Sequence, residues 1–372
     1  MYYQYEANME NETIQTFYTK KPTPFSKTNL FITALGSFFV AAILFAYSTT
    51  IITHTSEQTT NLSEITKYTE LDNSTVSDLF DIFKLKFNKI YDTIDEESTR
   101  YDNFRSFLKT IDERNTNDPT AIHGITKFAD LSEDEFRNHF LGYVPVPTNT
   151  QRITISAYTG SETIVNWANI YTTAVKDQGY CGSCWAFSAT EQIESDSIRL
   201  GLLTTNDTLS PEQIVQCDSI DDGCDGGNTE TAFEYVMSAG GIETESKYPY
   251  TSYYDKTGLC TSNATDYVVT VSSYTKIADE DSMISYVLST GPLSICLDAS
   301  SWSSYVSGII TNCGKDVDHC VQAVGINLDE GYWIVRNSWG TEWGDDGYIY
   351  LASGENMCDI SYDPKYVTTA LV

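Results

Sequence analysis

Apolar residues fall into a helical rhythm from Val76 onwards. Leu79, Phe80, Phe83, Phe87 and Ile90 recur at three- and four-residue steps and predict one buried helix face. A second run, Glu96 to Asn115, carries Phe104, Phe107, Leu108 and Ile111 on one stripe and predicts a longer helix. A turn at Asp118 and Pro119 leads to Ile125, Phe128 and Leu131, and Ser132 with Glu135 reads as a cap ahead of Phe136. Val144 to Pro147 and the Thr/Ser-rich stretch to Ser161 break the rhythm and read as an exposed linker, open to proteolytic nicking. Beyond it a helix is predicted from Cys184 to Leu200, stopped by Gly201. An apolar run after His319 and another ending at Asn337 read as strands.

The N-terminal part follows a different pattern. Leu30 to Ile52 is a run of 23 residues without a formal charge, long enough as a helix to cross a hydrocarbon core of about 30 Å. A cleaved signal peptide and a buried core helix are the competing readings. The first is disfavoured because about 29 residues precede the run and signal cores span only about 7–15 residues. Lys20, Lys21 and Lys27 precede the run and the next lysine is Lys67, so the positive-inside asymmetry predicts a cytosolic tail over 1–29 and a lumenal remainder. Residues 53–75, rich in Thr, Ser, Asn and Glu, read as a stalk. Asn61, Asn73, Asn206 and Asn263 are lumenal glycosylation sequons; Asn11 would face the cytosol.

Charge and cysteine usage narrow the function classes. The chain of 372 residues has a formal charge of −30, of which −23 falls on residues 160–372. Phosphate backbones would be repelled, which argues against nucleic acid as a partner. With 41% hydrophobic residues the chain has the material for a packed core. All nine cysteines lie at or beyond Cys181, which points to an oxidising compartment for that part.

Candidate chemistry begins at Cys184. A thiol at a helix start feels the positive end of the macrodipole, which favours its thiolate. Cys181 and Cys184 also form a CxxC, so a redox dithiol is a rival, although no strand–CxxC–helix module surrounds it. The cysteines are scattered rather than knuckled, so no metal or other cofactor is expected. Of four histidines, only His319 follows the linker. A Cys–His pair supplies nucleophile and base, and the Asn337 amide oxygen is suited to orient the imidazole.

The block Gln178–Ser188, with Asn337–Gly340 and His319 placed 135 residues after Cys184, resembles the papain/cathepsin L-type cysteine proteases. The resemblance spans roughly Asp78 to Val372. It includes a prodomain pattern at Glu96, Arg100, Phe104, Ile111 and Asn115, with Phe107 where the family has Asn. A following motif appears as Gly124, Thr126, Phe128 and Asp130, with Thr126 replacing Asn. The resemblance implies an α+β, two-lobed papain-like fold, one lobe helical and one antiparallel and barrel-like, with a helical inhibitory prodomain and an N-terminal transmembrane helix. The expected organisation is tail 1–29, signal anchor 30–52, stalk 53–75, prodomain 76–143, activation linker 144–163 and peptidase domain 164–372.

By the same resemblance Cys184 is the nucleophile, His319 the general acid/base, Asn337 its orienting partner and Gln178 an oxyanion donor, with Trp339 shielding the His–Asn bond. Disulfides are implied for Cys181–Cys224, Cys217–Cys260 and Cys313–Cys358. Cys296 and Cys320 remain, expected as two small buried thiols, with a fourth bridge as the alternative. Gly226 and Gly227 match positions that bind substrate backbone. Asn228, Thr229, Cys296, Val317, Asp318, Cys320 and Asp363 match the surroundings of the S2 pocket, expected to be mainly apolar, with Asp363 either at its floor or facing water. At the floor, its carboxylate would admit Arg beside Leu, Val or Phe. The expected partners are peptide and protein substrates, the chain's own prodomain and a membrane. The mature enzyme is expected to be a monomer in a lysosome, acidic endosome or digestive vacuole. A catalytically silent binding homologue is the alternative outside catalysis.

Overall fold

The computed structural model describes residues 67–147 and 150–372. The apolar run 30–52 and the sequon at Asn61 lie outside the described residues, and among those described no helix is long and apolar enough to cross a membrane.

The prosegment is helical for the reasons its pattern suggests. α1 (Asn73–Lys86) starts at Asp72, whose carboxylate accepts from the Thr75 amide, and α2 (Ile94–Asn117) is capped in the same way by Thr93. Phe80, Phe83 and Phe104 pack together at ring separations of 5.3–6.0 Å, and burying each such side chain contributes about 1.5–3 kcal/mol. Ile90 departs from the expected stripe and is exposed. Asn88 takes a left-handed conformation (φ 51°), which ends the helix at Lys86. Strand β1 (Ala121–His123) follows, then α3 (Glu133–Phe140), opened by a full Ser132/Glu135 capping box. The segment expected as stalk is structured from Tyr68 onward: the Asp112 carboxylate on α2 accepts the Tyr68 and Thr69 amides at 2.9 and 2.8 Å.

Two short strands, β2 (Arg152–Ile153) and β3 (Ile164–Asn166), precede α4 (Cys184–Arg199). α4 is buried along nearly its whole length. α5 (Pro211–Cys217) and α6 (Thr229–Ala239) pack on it, followed by β4 (Ile242–Glu243), β5 (Tyr267–Ile277) and α7 (Glu280–Ser289). The remaining strands are β6 (Leu293–Leu297), β7 (Tyr305–Ile310), β8 (His319–Asn327), β9 (Tyr332–Arg336), β10 (Tyr348–Ala352) and β11 (Lys365–Leu371).

The strands pair in the order β1-β7-β10-β9-β8-β6-β11-β5-β2, with β3 on β8 and β4 on β5. This path is open, so the expected barrel-like lobe is corrected to an open sheet, and it is not purely antiparallel: β7–β10 and β2–β5 run parallel. The prosegment supplies one edge through β1, and a sheet edge covered in this way offers no free pairing row. β8 is central. Its first half pairs with β6 and its second half with β9 and β3, and Gly325 lets β3 approach, since a Cβ there would sit 2.4 Å from the Val165 carbonyl. Every residue of β8 is buried, which holds its first residue, His319, rigidly.

Candidate active site

Cys184 is the first residue of α4 and fully buried. The Gly142 amide of the prosegment donates to its Sγ at 3.3 Å, and the Cys320 and Trp185 amides also face it. Three N–H donors and a helix N-terminus make a setting for a thiolate. With the prosegment seated, however, burial outweighs these donors and pushes the thiol up to about 12.

His319 is equally buried. Its Nε2 is 2.8 Å from Asn337 Oδ1, which also accepts the Ser338 amide, so Nε2 carries the proton. The other ring nitrogen, Nδ1, has no hydrogen-bond partner among the described residues. Burial pulls the imidazole down to about 4, against the opposing bond to Asn337. Trp339 stacks on the ring at 4.8 Å and closes the His–Asn bond to water. Gln178 is held by Ser338, whose hydroxyl donates to Oε1 at 2.7 Å, while Gln178 Nε2 donates to the carbonyls of Cys181 and Phe140 at 2.9 and 3.2 Å.

The prosegment runs through this cleft. The Tyr143 amide donates to the Asp318 carbonyl at 3.0 Å, Val144 to Gly227 at 2.8 Å, and Gly227 back to Gly142 at 2.9 Å. Gly142 must be glycine, because a Cβ would lie 1.8 Å from the Gly182 carbonyl oxygen. Phe128 and Phe136 lie edge-on to Trp339 at 5.2 and 5.4 Å. The cleft is thus filled by backbone and sealed by aromatics.

Disulfides join Cys181–Cys224, Cys217–Cys260 and Cys313–Cys358. A fourth joins Cys296 to Cys320, where two free thiols were expected; the two face each other in register on β6 and β8, with Cα atoms 4.0 Å apart. Cys184 is the free cysteine, and a CxxC dithiol is excluded because Cys181 is bridged.

Around the cleft the S2 matches are partly corrected. Gly226 (φ 119°) and Gly227 line the prosegment backbone, and Val317 packs against the core that holds Cys184. Asn228 caps α6 and Thr229 is buried behind it. Asp363 is 1% exposed and neither faces water nor offers a free carboxylate. Lys276 lies 2.5 Å from its Oδ1, and Lys365 bonds its Oδ2. Lys276 also meets Glu230 at 2.9 Å and Lys365 donates to Thr229 at 2.9 Å. Burial lowers the Lys365 pKa. Sequence reasoning missed Lys276, Lys365 and Glu230. The available signal was the rarity of lysine in so acidic a domain, with Lys365 heading the apolar and Thr-rich run 365–371. Asn73, Asn206 and Asn263 are exposed, and Asn263 Nδ2 donates to Asp266 at 2.9 Å.

Comparison with known proteins agrees with this geometry. Residues 162–368 match the papain family cysteine protease profile, and residues 80–136 match the cathepsin propeptide inhibitor domain. Cysteine proteinase 2 of Leishmania pifanoi is 37% identical over 77% of this chain and 68% of its own length. Cysteine proteinase 15A of Pisum sativum is 37% identical over 76% of this chain and 83% of its own. Among solved structures, digestive procathepsin L2 proteinase from the larval midgut of Tenebrio molitor is 29% identical, with a TM-score of 0.72 over 79% of this chain and 99% of that one. The chain belongs to the papain family of cysteine proteases, hydrolases made here as a zymogen with its own propeptide inhibitor domain.

Proposed function

We propose that this protein is a cysteine endopeptidase, anchored in a membrane by residues 30–52 with its peptidase domain in the lumen and activated by removal of the prosegment near residues 150–163. Cys184 attacks the scissile carbonyl as a thiolate, and His319 holds its proton on Nδ1. The developing oxyanion is met by Gln178 Nε2 and the Cys184 amide. His319 then protonates the leaving amine, and water hydrolyses the thioester with His319 as base. Asn337 keeps the imidazole in the tautomer this cycle needs.

The observation that carries this reading is the 2.8 Å bond from His319 Nε2 to Asn337, which leaves Nδ1 without a hydrogen-bond partner among the described residues and open to take a proton. The destination is an acidic compartment such as a lysosome, endosome or digestive vacuole. There the −23 charge of residues 160–372 is partly neutralised. Glycans on the lumenal sequons and a monomeric mature form complete the proposal.

The test is hydrolysis of a fluorogenic Leu-Arg dipeptide near pH 5.5 by acid-processed protein and by its Cys184→Ala variant. Activity confined to the wild type is expected. Equal activity in the variant, or none in either after clean processing, would remove Cys184 from its role. Membrane topology is checked by protease protection of residues 67–372 in sealed vesicles.

A further inference from the structure

One buried guanidinium joins the segments that carry the site. Arg336 is the last residue of β9, next to Asn337, and is fully buried. One terminal nitrogen donates to the Thr173 carbonyl at 2.8 Å, in the stretch that leads to Gln178. The other donates to Gln322 Oε1 at 2.7 Å, on β8 shortly after His319, and lies 3.5 Å from the Glu191 carboxylate. Glu191 sits on α4 about two turns beyond Cys184, on the same face of that helix.

Its neighbours extend the link. Gln322 Nε2 lies 3.0–3.1 Å from the Glu191 carbonyl, Gln192 Oε1 and the Ser195 hydroxyl, all on α4. The Thr173 hydroxyl donates to Glu194 Oε2 at 2.6 Å, and Lys176 pairs with the same carboxylate at 3.0 Å. The charges therefore balance, Glu191 against Arg336 and Glu194 against Lys176. The β8–β9 ladder makes its last rung towards the site at Gln322 and Arg336, and among the described residues no backbone bond joins the two strands beyond it. His319 and Asn337 project past that rung and meet through their side chains. A planar fork donates in several fixed directions at once, which a single ammonium does not. The short bonds of Arg336 go to two neutral acceptors and the longer contact to the carboxylate, so it is arranged as a brace more than as an ion pair.

We infer that Arg336, together with Gln322 and Glu191, is a positioning residue of the peptidase. From behind the site it fixes the mutual placement of the segments bearing Gln178, Cys184, His319 and Asn337. The inference rests on the peptidase reading above and deepens it.

The experiment uses the acid-processed full chain, with competent sites titrated by an irreversible thiol reagent so that kcat is expressed per reactive Cys184. Arg336→Lys keeps a cation beside Glu191 and loses the fork. Gln322→Met removes the tie to β8 at similar volume and leaves every charge in place. Each is expected to lower kcat by roughly tenfold or more, the scale of a small misplacement, at unchanged KM. The His319–Asn337 bond favours the charged imidazole. A loosened Asn337 lets that proton leave sooner, and the alkaline limb of kcat/KM is expected to move down by about half a unit. A variant that merely folds less well changes the number of titrated sites, with kcat per site and the limb unmoved. Wild-type kcat per site in either variant, or a lowered kcat with an unmoved limb, would overturn the inference and leave the peptidase reading standing. Absence of hydrolysis by the wild type would overturn both.

Discussion

The Phe140 carbonyl accepts a hydrogen bond from the Gln178 side-chain amide at 3.2 Å. Gln178 is the side chain assigned to the oxyanion, so in the zymogen a prosegment carbonyl stands where charge is expected to develop during catalysis. In the processed enzyme Gln178→Ala is expected to lower kcat by about 10²–10³-fold with little change in KM, the mark of a donor used in the transition state. A rise in KM at unchanged kcat would instead make Gln178 a substrate-binding group.

Gly142 allows the prosegment to pass within bonding distance of the thiol, and its absent side chain is what makes the approach possible. Gly142→Ala forces the strand off Gly182 and is expected to speed alkylation of Cys184 in the unprocessed chain at neutral pH by about tenfold, given the 1–3 kcal/mol typical of overpacking. In the wild type the reaction is expected to be slow, because a thiol pushed up to about 12 is protonated there. Unchanged labelling would mean that Gly182 yields without moving the prosegment.

His123, in β1, bonds Ser304 Oγ through Nδ1 at 2.9 Å. Burial, aided by Arg114 against Asp118, pulls it down to about 4, whereas in a detached prosegment it returns towards an ordinary 6.5. The docked form therefore binds fewer protons between those values, and docking weakens as pH falls from about 6.5 towards 4. His123→Gln is expected to move acid activation to lower pH by roughly half a unit or more, followed as prosegment release against pH. The ion pairs Lys127–Asp177 and Arg137–Asp318 and the His139–Asp255 contact remain in the variant, so the shift isolates this imidazole. No shift would mean that this imidazole does not set the acid response.

Lys365 is fully buried between Asp363 and Thr229. Lys365→Met is expected to cost about 3 kcal/mol in denaturant unfolding, the low end for breaking a buried pair, because Lys276 still meets Asp363. A neutral or stabilising result would show that desolvation of the cluster had cancelled its attraction.

Much of the site was legible in the sequence because its chemistry requires rare residue types at fixed spacing. His319 was the one imidazole after the linker, and Gln178, Cys184 and Asn337 sat in short, specific blocks. Helix α3 was legible for a local reason, since Ser132 and Glu135 satisfy each other's backbone amides within one turn. Ile90 was misplaced because helical periodicity does not report that Asn88 would turn left-handed and end α1. The open sheet, with its parallel β7–β10 and β2–β5 pairs, was hidden because strand order is set by contacts far apart in sequence.

The sequence by itself determined the enzyme family, the inhibitory propeptide and the candidate nucleophile and base, since these rest on side-chain chemistry and local spacing. Tertiary structure alone decided that Cys296 and Cys320 are bridged, because register between β6 and β8 brings them face to face. It also decided that Asp363 is neutralised by Lys276 and Lys365. Charges placed 87 and 2 residues from it can pair only when β5, β11 and α6 converge behind the cleft and exclude the water that would otherwise separate them.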